Sequence, residues 1–213
     1  PRIFQMGKFG EGPQQSSLRK NSDMNWIKLC SVTIICLISG ACRENEDDKI
    51  IAFVGDSLVA RWDLQNSFPT RRTENYGVSK SRLDYIQSQE GRFTGKDVIV
   101  ILGTNDVKHL QDSEEEEYAE KYVEAVEKLG GDRVFLYSIF PRRFSADPID
   151  INERIKRLNQ LIVSGIGPNV IYIDVYETLM KDGNLNLQLS YDGLHLNDLG
   201  YEIISNELIK AGL

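Results

Sequence analysis

Four short apolar runs constrain this chain more than any other feature. Residues 49–54 (KIIAFV) stop at Gly55, residues 97–102 (DVIVIL) at Gly103 and residues 133–140 (RVFLYSIF) at Pro141; residues 169–176 (NVIYIDVY) are the fourth. Within each run apolar residues follow one another instead of alternating with polar ones. A strand of that kind needs cover on both faces, which is the situation inside a parallel sheet. A weaker strand is expected over residues 73–76.

Helical periodicity lies between the runs. Over residues 113–129, Tyr118, Tyr122, Ala125, Val126 and Leu129 share one stripe. Glutamates crowd its first turns, where the helix dipole favours them, and Gly130-Gly131 stops it. Residues 149–163 space Ile151, Ile155, Leu158, Leu161 and Ile162 in the same way. A shorter helix is expected over residues 81–89, and another over residues 198–210. This alternation implies one α/β domain, a three-layer α/β/α sandwich around a mainly parallel sheet. In such a sheet, sites form beyond the carboxyl ends of the strands.

Composition narrows the function classes. With 213 residues, 41% hydrophobic and 27% charged, the chain is neither collagenous nor wholly disordered. A net charge of -7 argues against a general nucleic-acid binder, which needs a basic footprint. The charge is uneven. Arg2, Lys8, Arg19, Lys20 and Lys28 against Glu11 and Asp23 give residues 1–42 a net +3, leaving -10 for the rest. All three cysteines, Cys30, Cys36 and Cys42, lie in that first part. Residues 24–42 read MNWIKLCSVTIICLISGAC: a basic start, an apolar run, then small residues before Cys42. The run falls short of the roughly 20 apolar residues of a membrane span and is expected to be a secretory signal. Residues 1–23 precede Met24, a candidate start, and are set aside as an upstream segment. Residues 43–48 are expected to be a charged tether and residues 49–213 the folded domain.

Polar motifs follow the runs. Gly55-Asp56-Ser57 comes after the first; a serine at a strand-to-helix turn can raise its hydroxyl above the sheet, and alone it can equally cap a helix. Gly103-Thr104-Asn105-Asp106 comes after the second, and Asn105 offers an amide donor for an oxyanion or for an Asx turn. Asp192-Gly193-Leu194-His195 lies near the chain end. A serine nucleophile needs a base, and a histidine base needs an orienting carboxylate. A separation of three lets Asp192 bond Nδ1 of His195 while Nε2 faces a serine. The other histidine, His109, reads as a surface residue. Neither a clustered His/Cys set nor a phosphate-binding glycine loop is present, so no metal and no organic cofactor are expected.

These blocks resemble the SGNH hydrolase family, also called the GDSL esterase/lipase family. The resemblance rests on FVGDSL (53–58), NYGVSKSRLD (75–84), ILGTND (101–106) and YDGLHLNDLGY (191–201), with IFPRR (139–143) in support. It implies a flavodoxin-like sheet of about five strands and serine esterase chemistry through an acyl-enzyme. It implies that Ser57 is the nucleophile, His195 the general base and then acid, and Asp192 its orienting partner. The implied oxyanion hole uses the Ser57 N–H, the Asn105 amide and a main-chain N–H of the second block. The glycine usual there is Lys80 in this chain. Its N–H serves if the backbone angles allow, and its side chain would narrow the pocket or attract an anionic substrate. Gly77 is the weaker candidate donor.

Asp56, Trp62 and Gly77 are candidate substrate contacts, with Trp62 as a sugar-stacking ring, although packing is the commoner role of such a tryptophan. Arg142 and Arg143 are expected at the rim or in solvent. No lid insertion is evident, which favours short acyl groups, such as acetyl esters on carbohydrate. The alternatives are a lysophospholipase- or thioesterase-like acylhydrolase, or a catalytically weak domain binding glycan or envelope components. The segment LISGAC resembles a bacterial lipobox, with Ser39 where leucine is usual. That resemblance implies a lipid on Cys42, membrane contact through that anchor alone and a place in the cell envelope. The expected partner is a small-molecule or glycan ester, and no nucleic acid.

Overall fold

The computed structural model describes residues 49–213. The signal, the upstream segment, Cys42 and the tether lie outside them. The apolar runs become β1 (Ile50–Gly55), β3 (Asp97–Ile101), β4 (Arg133–Tyr137) and β5 (Val170–Ile173), and the weaker segment becomes β2 (Arg72–Gly77). All neighbours pair in parallel, in the order β2-β1-β3-β4-β5. This is the flavodoxin-like arrangement expected.

The continuous runs exist because each strand faces two helical layers. Side chains alternate along a strand, so Ala52, Val54, Val98 and Val100 point one way. There they pack against Leu83 and Ile86 of α3 (Leu83–Gln87), Tyr122 and Val126 of α4 (Glu115–Glu127), and Ile155 and Leu158 of α5 (Ile151–Gly165). Ile51, Phe53, Ile99 and Ile101 point the other way. Their cover is Leu58 and Val59 of α1 (Ser57–Ala60), Leu64 of α2 (Leu64–Ser67), Leu179 of α6 (Tyr176–Leu179), and Ile204 and Leu208 of α7 (Asp198–Lys210). The three-layer sandwich therefore follows from the strand pattern.

Element ends differ from the sequence expectation where side chains capture the backbone. The fourth run ends as a strand at Ile173, because the Asp174 Oδ1 accepts the Tyr176 N–H at 3.0 Å and turns the chain into α6. The third ends at Tyr137; Ile139 leaves the sheet held by both sides of the Asn159 amide, at 2.8 and 2.9 Å. Ser81 stays out of α3 because its hydroxyl donates to the Gly55 carbonyl at 3.1 Å. The helix expected from residue 149 begins at Ile151, with Ile149 fully exposed. A small hairpin, β6 (Met180–Lys181) with β7 (Asn184–Leu185), was not foreseen.

After β1 the chain passes to β2 on one side, then crosses to β3 on the other. The switch point between β1 and β3 is where a doubly wound sheet opens a crevice. Contact there is tight. Gly55 pairs with Ile101, and a Cβ on Gly55 would stand 2.0 Å from the Ile101 carbonyl oxygen. Gly55→Ala is expected to force the two strand ends apart and to lower unfolding free energy by about 2–3 kcal/mol in urea titration.

Candidate active site

Four chain segments meet above the switch point. The first is the turn leaving β1. Asp56 caps α1: its Oδ1 accepts the Leu58 N–H at 2.9 Å. Ser57 then opens the helix, 7% exposed, at the carboxyl edge of the sheet. The second is the loop before α7. Ser190 holds it closed, donating its hydroxyl to the His195 carbonyl at 2.8 Å and accepting the Gly193 N–H at 2.9 Å. Tyr191 N–H also donates to that carbonyl, at 2.9 Å. Gly193 has φ +81°, and a Cβ there would lie 2.3 Å from the Arg143 carbonyl oxygen. Glycine is therefore required for the loop to dock, and the Arg143 N–H donates to the Gly193 carbonyl at 2.8 Å.

Docking brings residues 138 positions apart into contact. Ser57 Oγ lies 3.0 Å from His195 Nε2. His195 Nδ1 lies 2.7 Å from Asp192 Oδ2. The other oxygen of Asp192 accepts the Leu194 and His195 N–H groups at 3.0 and 2.8 Å. Partial burial of Asp192 would raise its pKa, but these hydrogen bonds outweigh burial and hold the carboxyl below its usual range. The acid is thus ionised where it meets the imidazole.

The third and fourth are the loops after β2 and β3. Asn105 Nδ2 donates to the Ser81 carbonyl at 3.0 Å, which ties the two loops together. Ser81 in turn grips Gly55, so Lys80 is held beside the Ser57 turn. Lys80 has φ +68°, in the left-handed region that favours glycine. Neither the Ser57 nor the Lys80 N–H has a hydrogen-bond acceptor among the described residues.

Three expected substrate contacts belong to the scaffold instead. Trp62 is 3% exposed, enclosed by Phe53, Phe68, Tyr137 and Tyr201, with Nε1 donating to Ser67 Oγ at 2.9 Å. It has no free face for a sugar. The Gly77 N–H is taken by Asn75 Oδ1 at 2.8 Å, so it is not an oxyanion donor; a Cβ there would lie 2.2 Å from the Ala60 nitrogen. Gly77 lets β2 approach α1. Asp56 is wholly buried and serves as the cap.

Arg142, expected at the rim, is 2% exposed. It grips Asp147 with two hydrogen bonds, at 2.9 and 2.6 Å, and donates to the carbonyl of Thr104. The Asn152 amide brackets its own backbone at 2.8 and 2.7 Å. One guanidinium therefore joins the Asn105 loop to the segment on which the His195 loop docks. The paired arginines of IFPRR were the only signal, and spacing could not show that one is buried while its neighbour is not.

Beneath the site lie two enclosed carboxyls. Burial pushes Asp56 up to about 7, against the Leu58 hydrogen bond; nearby Asp106 adds to the rise and Arg142 opposes it. Burial likewise pushes Asp106 up to about 6. Folded-state pKa values above the ordinary carboxylate range mean the folded protein binds more protons than the unfolded chain. Stability from these groups is then present at low pH and lost as pH rises from about 4 towards 7. Asp56→Asn keeps the cap acceptor and removes one such proton. Relative to the parent, the variant is expected to gain about 2 kcal/mol between pH 5 and pH 8, measured by urea unfolding at both values.

Comparison with known proteins bears on the family and the fold. The model of the GDSL-like Lipase/Acylhydrolase family matches residues 53–203, more than half of the chain and all the segments just described. Among solved structures, a member of the lipolytic protein G-D-S-L family from Veillonella parvula is similar with a TM-score of 0.59 at 20% identity, covering 76% of this chain and 96% of that one. Axe2, an acetylxylan esterase from Geobacillus stearothermophilus, is similar with a TM-score of 0.53 at 17% identity, covering 78% and 94%. At such identities the likeness concerns the fold. An N-acylneuraminate cytidylyltransferase of Escherichia coli O18:K1:H7 is 30% identical over 185 residues, 79% of this chain. The chain spans 42% of the length of that relative. With the family model matched over residues 53–203, which take in every strand-end loop of the site, the chain belongs to the GDSL-like lipase/acylhydrolase family.

Proposed function

We propose that the protein is a serine esterase that removes short acyl groups, acetyl above all, from carbohydrate esters. The observation that carries the reading is the continuous chain Ser57 Oγ, His195, Asp192, with separations of 3.0 and 2.7 Å. In the proposed cycle Ser57 Oγ attacks the ester carbonyl carbon while His195 Nε2 takes its proton. Asp192 holds the imidazole through Nδ1 and stabilises the imidazolium. The oxygen, now negative, receives the N–H groups of Ser57 and Lys80 and the remaining Asn105 amide hydrogen. Collapse expels the alcohol, which takes the proton from His195, and leaves an acyl-serine. Water, deprotonated by His195, then releases the acid and restores Ser57.

Support for a small substrate comes from the openness of the site. The Asp192 side chain is 39% exposed, and the loops around it present Lys80, Arg82, Lys108 and Tyr191 to solvent. Support for a sugar comes from two of the similar proteins, one named for acetylxylan and the other for N-acylneuraminate. Ser57→Ala is expected to lower kcat/KM for p-nitrophenyl acetate at least about 1000-fold with the fold intact by circular dichroism. Turnover that survives the substitution would remove Ser57 from the mechanism.

The anchor is a separate proposal, supported by the sequence of residues 24–42 alone: the enzyme sits at the bacterial cell envelope through a lipid on Cys42. Among the described residues no helix is long and apolar enough to cross a membrane. Cys42→Ala is expected to abolish labelled-palmitate incorporation and to move the enzyme out of the membrane fraction.

A further inference from the structure

Cations in this domain are generally matched with acids. Lys49, Lys96, Arg133, Arg142, Arg154 and Arg157 each reach a carboxylate. Such pairing is easy where the chain beyond residue 42 carries a net -10. Among the described residues Lys80, Arg82 and Lys108 fall outside this pattern, as do Arg61, Arg92, Arg143 and Lys181; what sets the three apart is their clustering. All three are exposed, and none has an ion-pair partner among the described residues.

They also gather at one place. Lys80 and Arg82 flank Ser81, whose carbonyl is held by the Asn105 amide, and Lys108 follows Asn105 by three residues in the same tight turn. Arg82 and Lys108 act on the same point: after desolvation, their two charges lower the pKa of His109. The backbone adds an independent observation. Lys80 holds φ +68°, where glycine would present the same N–H without strain. Nothing in the backbone geometry asks for a lysine, so a disfavoured conformation is kept with a charged side chain at the mouth of the site. Strain held at such a position points to a use for the side chain.

We propose that Lys80, Arg82 and Lys108 form a cationic rim that selects esters bearing an anionic group, a carboxylate or phosphate, close to the scissile bond. The proposal rests on the hydrolase reading and names the substrate class of the same site. A strongly acidic domain repels anions at long range, so an anionic substrate needs a local positive mouth to be captured. The rim supplies it on the side of the Asn105 and Lys80 donors.

Three chromogenic esters test this. p-Nitrophenyl acetate is neutral, 4-acetoxy-3-nitrobenzoate carries a carboxylate on its leaving group, and p-nitrophenyl hemisuccinate carries one on its acyl group. Each is assayed with the parent, an Arg82→Gln/Lys108→Gln double variant and Lys80→Met, in 20 and 500 mM NaCl. For at least one anionic ester, kcat/KM is expected to fall on the order of tenfold in the double variant, and salt should bring the parent down to the same level. The ratio of that ester to p-nitrophenyl acetate should fall in Lys80→Met as well. The ester that responds shows on which side of the scissile bond the anion is read. Equal proportional losses for all three esters, no loss for any, or a parent that cleaves only the neutral ester would overturn the rim. Absence of Ser57-dependent turnover of p-nitrophenyl acetate is a different result: it overturns the hydrolase reading, and the rim with it.

Discussion

The site depends on how closely β1 and β3 approach at their carboxyl ends. Gly55 and Ile101 are paired there with no room for a side chain between them. That contact sets the Ser57 turn beside the Asn105 loop and opens the crevice that other segments complete. The Gly55 carbonyl then receives both the Val78 N–H at 2.9 Å and the Ser81 hydroxyl. A single glycine at a strand end thus holds the loop after β2 by two of its groups. Everything further out, including the position of the imidazole, is measured from this junction.

The second level of organisation is polar and buried. Arg142 and Asp147 are almost fully enclosed, at 3% and 5% side-chain exposure. A buried pair of this kind is weak evidence for net stability, because desolvation offsets much of its attraction. Its contribution here is register. The guanidinium has hydrogen bonds to spare for Thr104, and the same segment receives Gly193 through Arg143. Two loops that never touch in sequence are thereby held at one spacing, which a nucleophile and base within hydrogen-bond reach require. The enclosed acids Asp56 and Asp106 belong to this level too, since packing the turn tightly beneath Ser57 leaves little water to keep them ionised.

Much of the fold was legible because parallel strands have a strong one-dimensional signature. Apolar residues at successive positions state that both faces are covered, and the order of runs and helices leaves few topologies. The helix over residues 198–210 was read to the residue, since Asn197 caps it through Gly200 at 3.1 Å and the apolar stripe is clear. Boundaries were less legible where Asp174, Asn159 or Ser81 diverts the backbone, because such bonds depend on what lies opposite. Trp62 shows the same limit: its neighbours Phe53, Phe68, Tyr137 and Tyr201 come from four separate segments, and their joint enclosure of the ring has no trace in spacing. Arg142 and Arg143 are adjacent and identical in type, yet one is a clamp and the other is not.

By itself the sequence determined the layered α/β class, the strand ends at which chemistry would sit, and the residue types of the Ser57, Asn105 and Asp192–His195 motifs. These are properties of local pattern: periodicity, turn residues and the close spacing of an acid and a base. Tertiary structure alone decided that Ser57 and His195 meet at 3.0 Å. It also decided that Gly77 is a packing glycine, and that Lys80 carries the left-handed backbone expected of a glycine. The physical reason is that each of these facts concerns distance across the sheet. Such a distance is set by how side chains from remote segments fill the space between two layers, and no single stretch of chain carries that information.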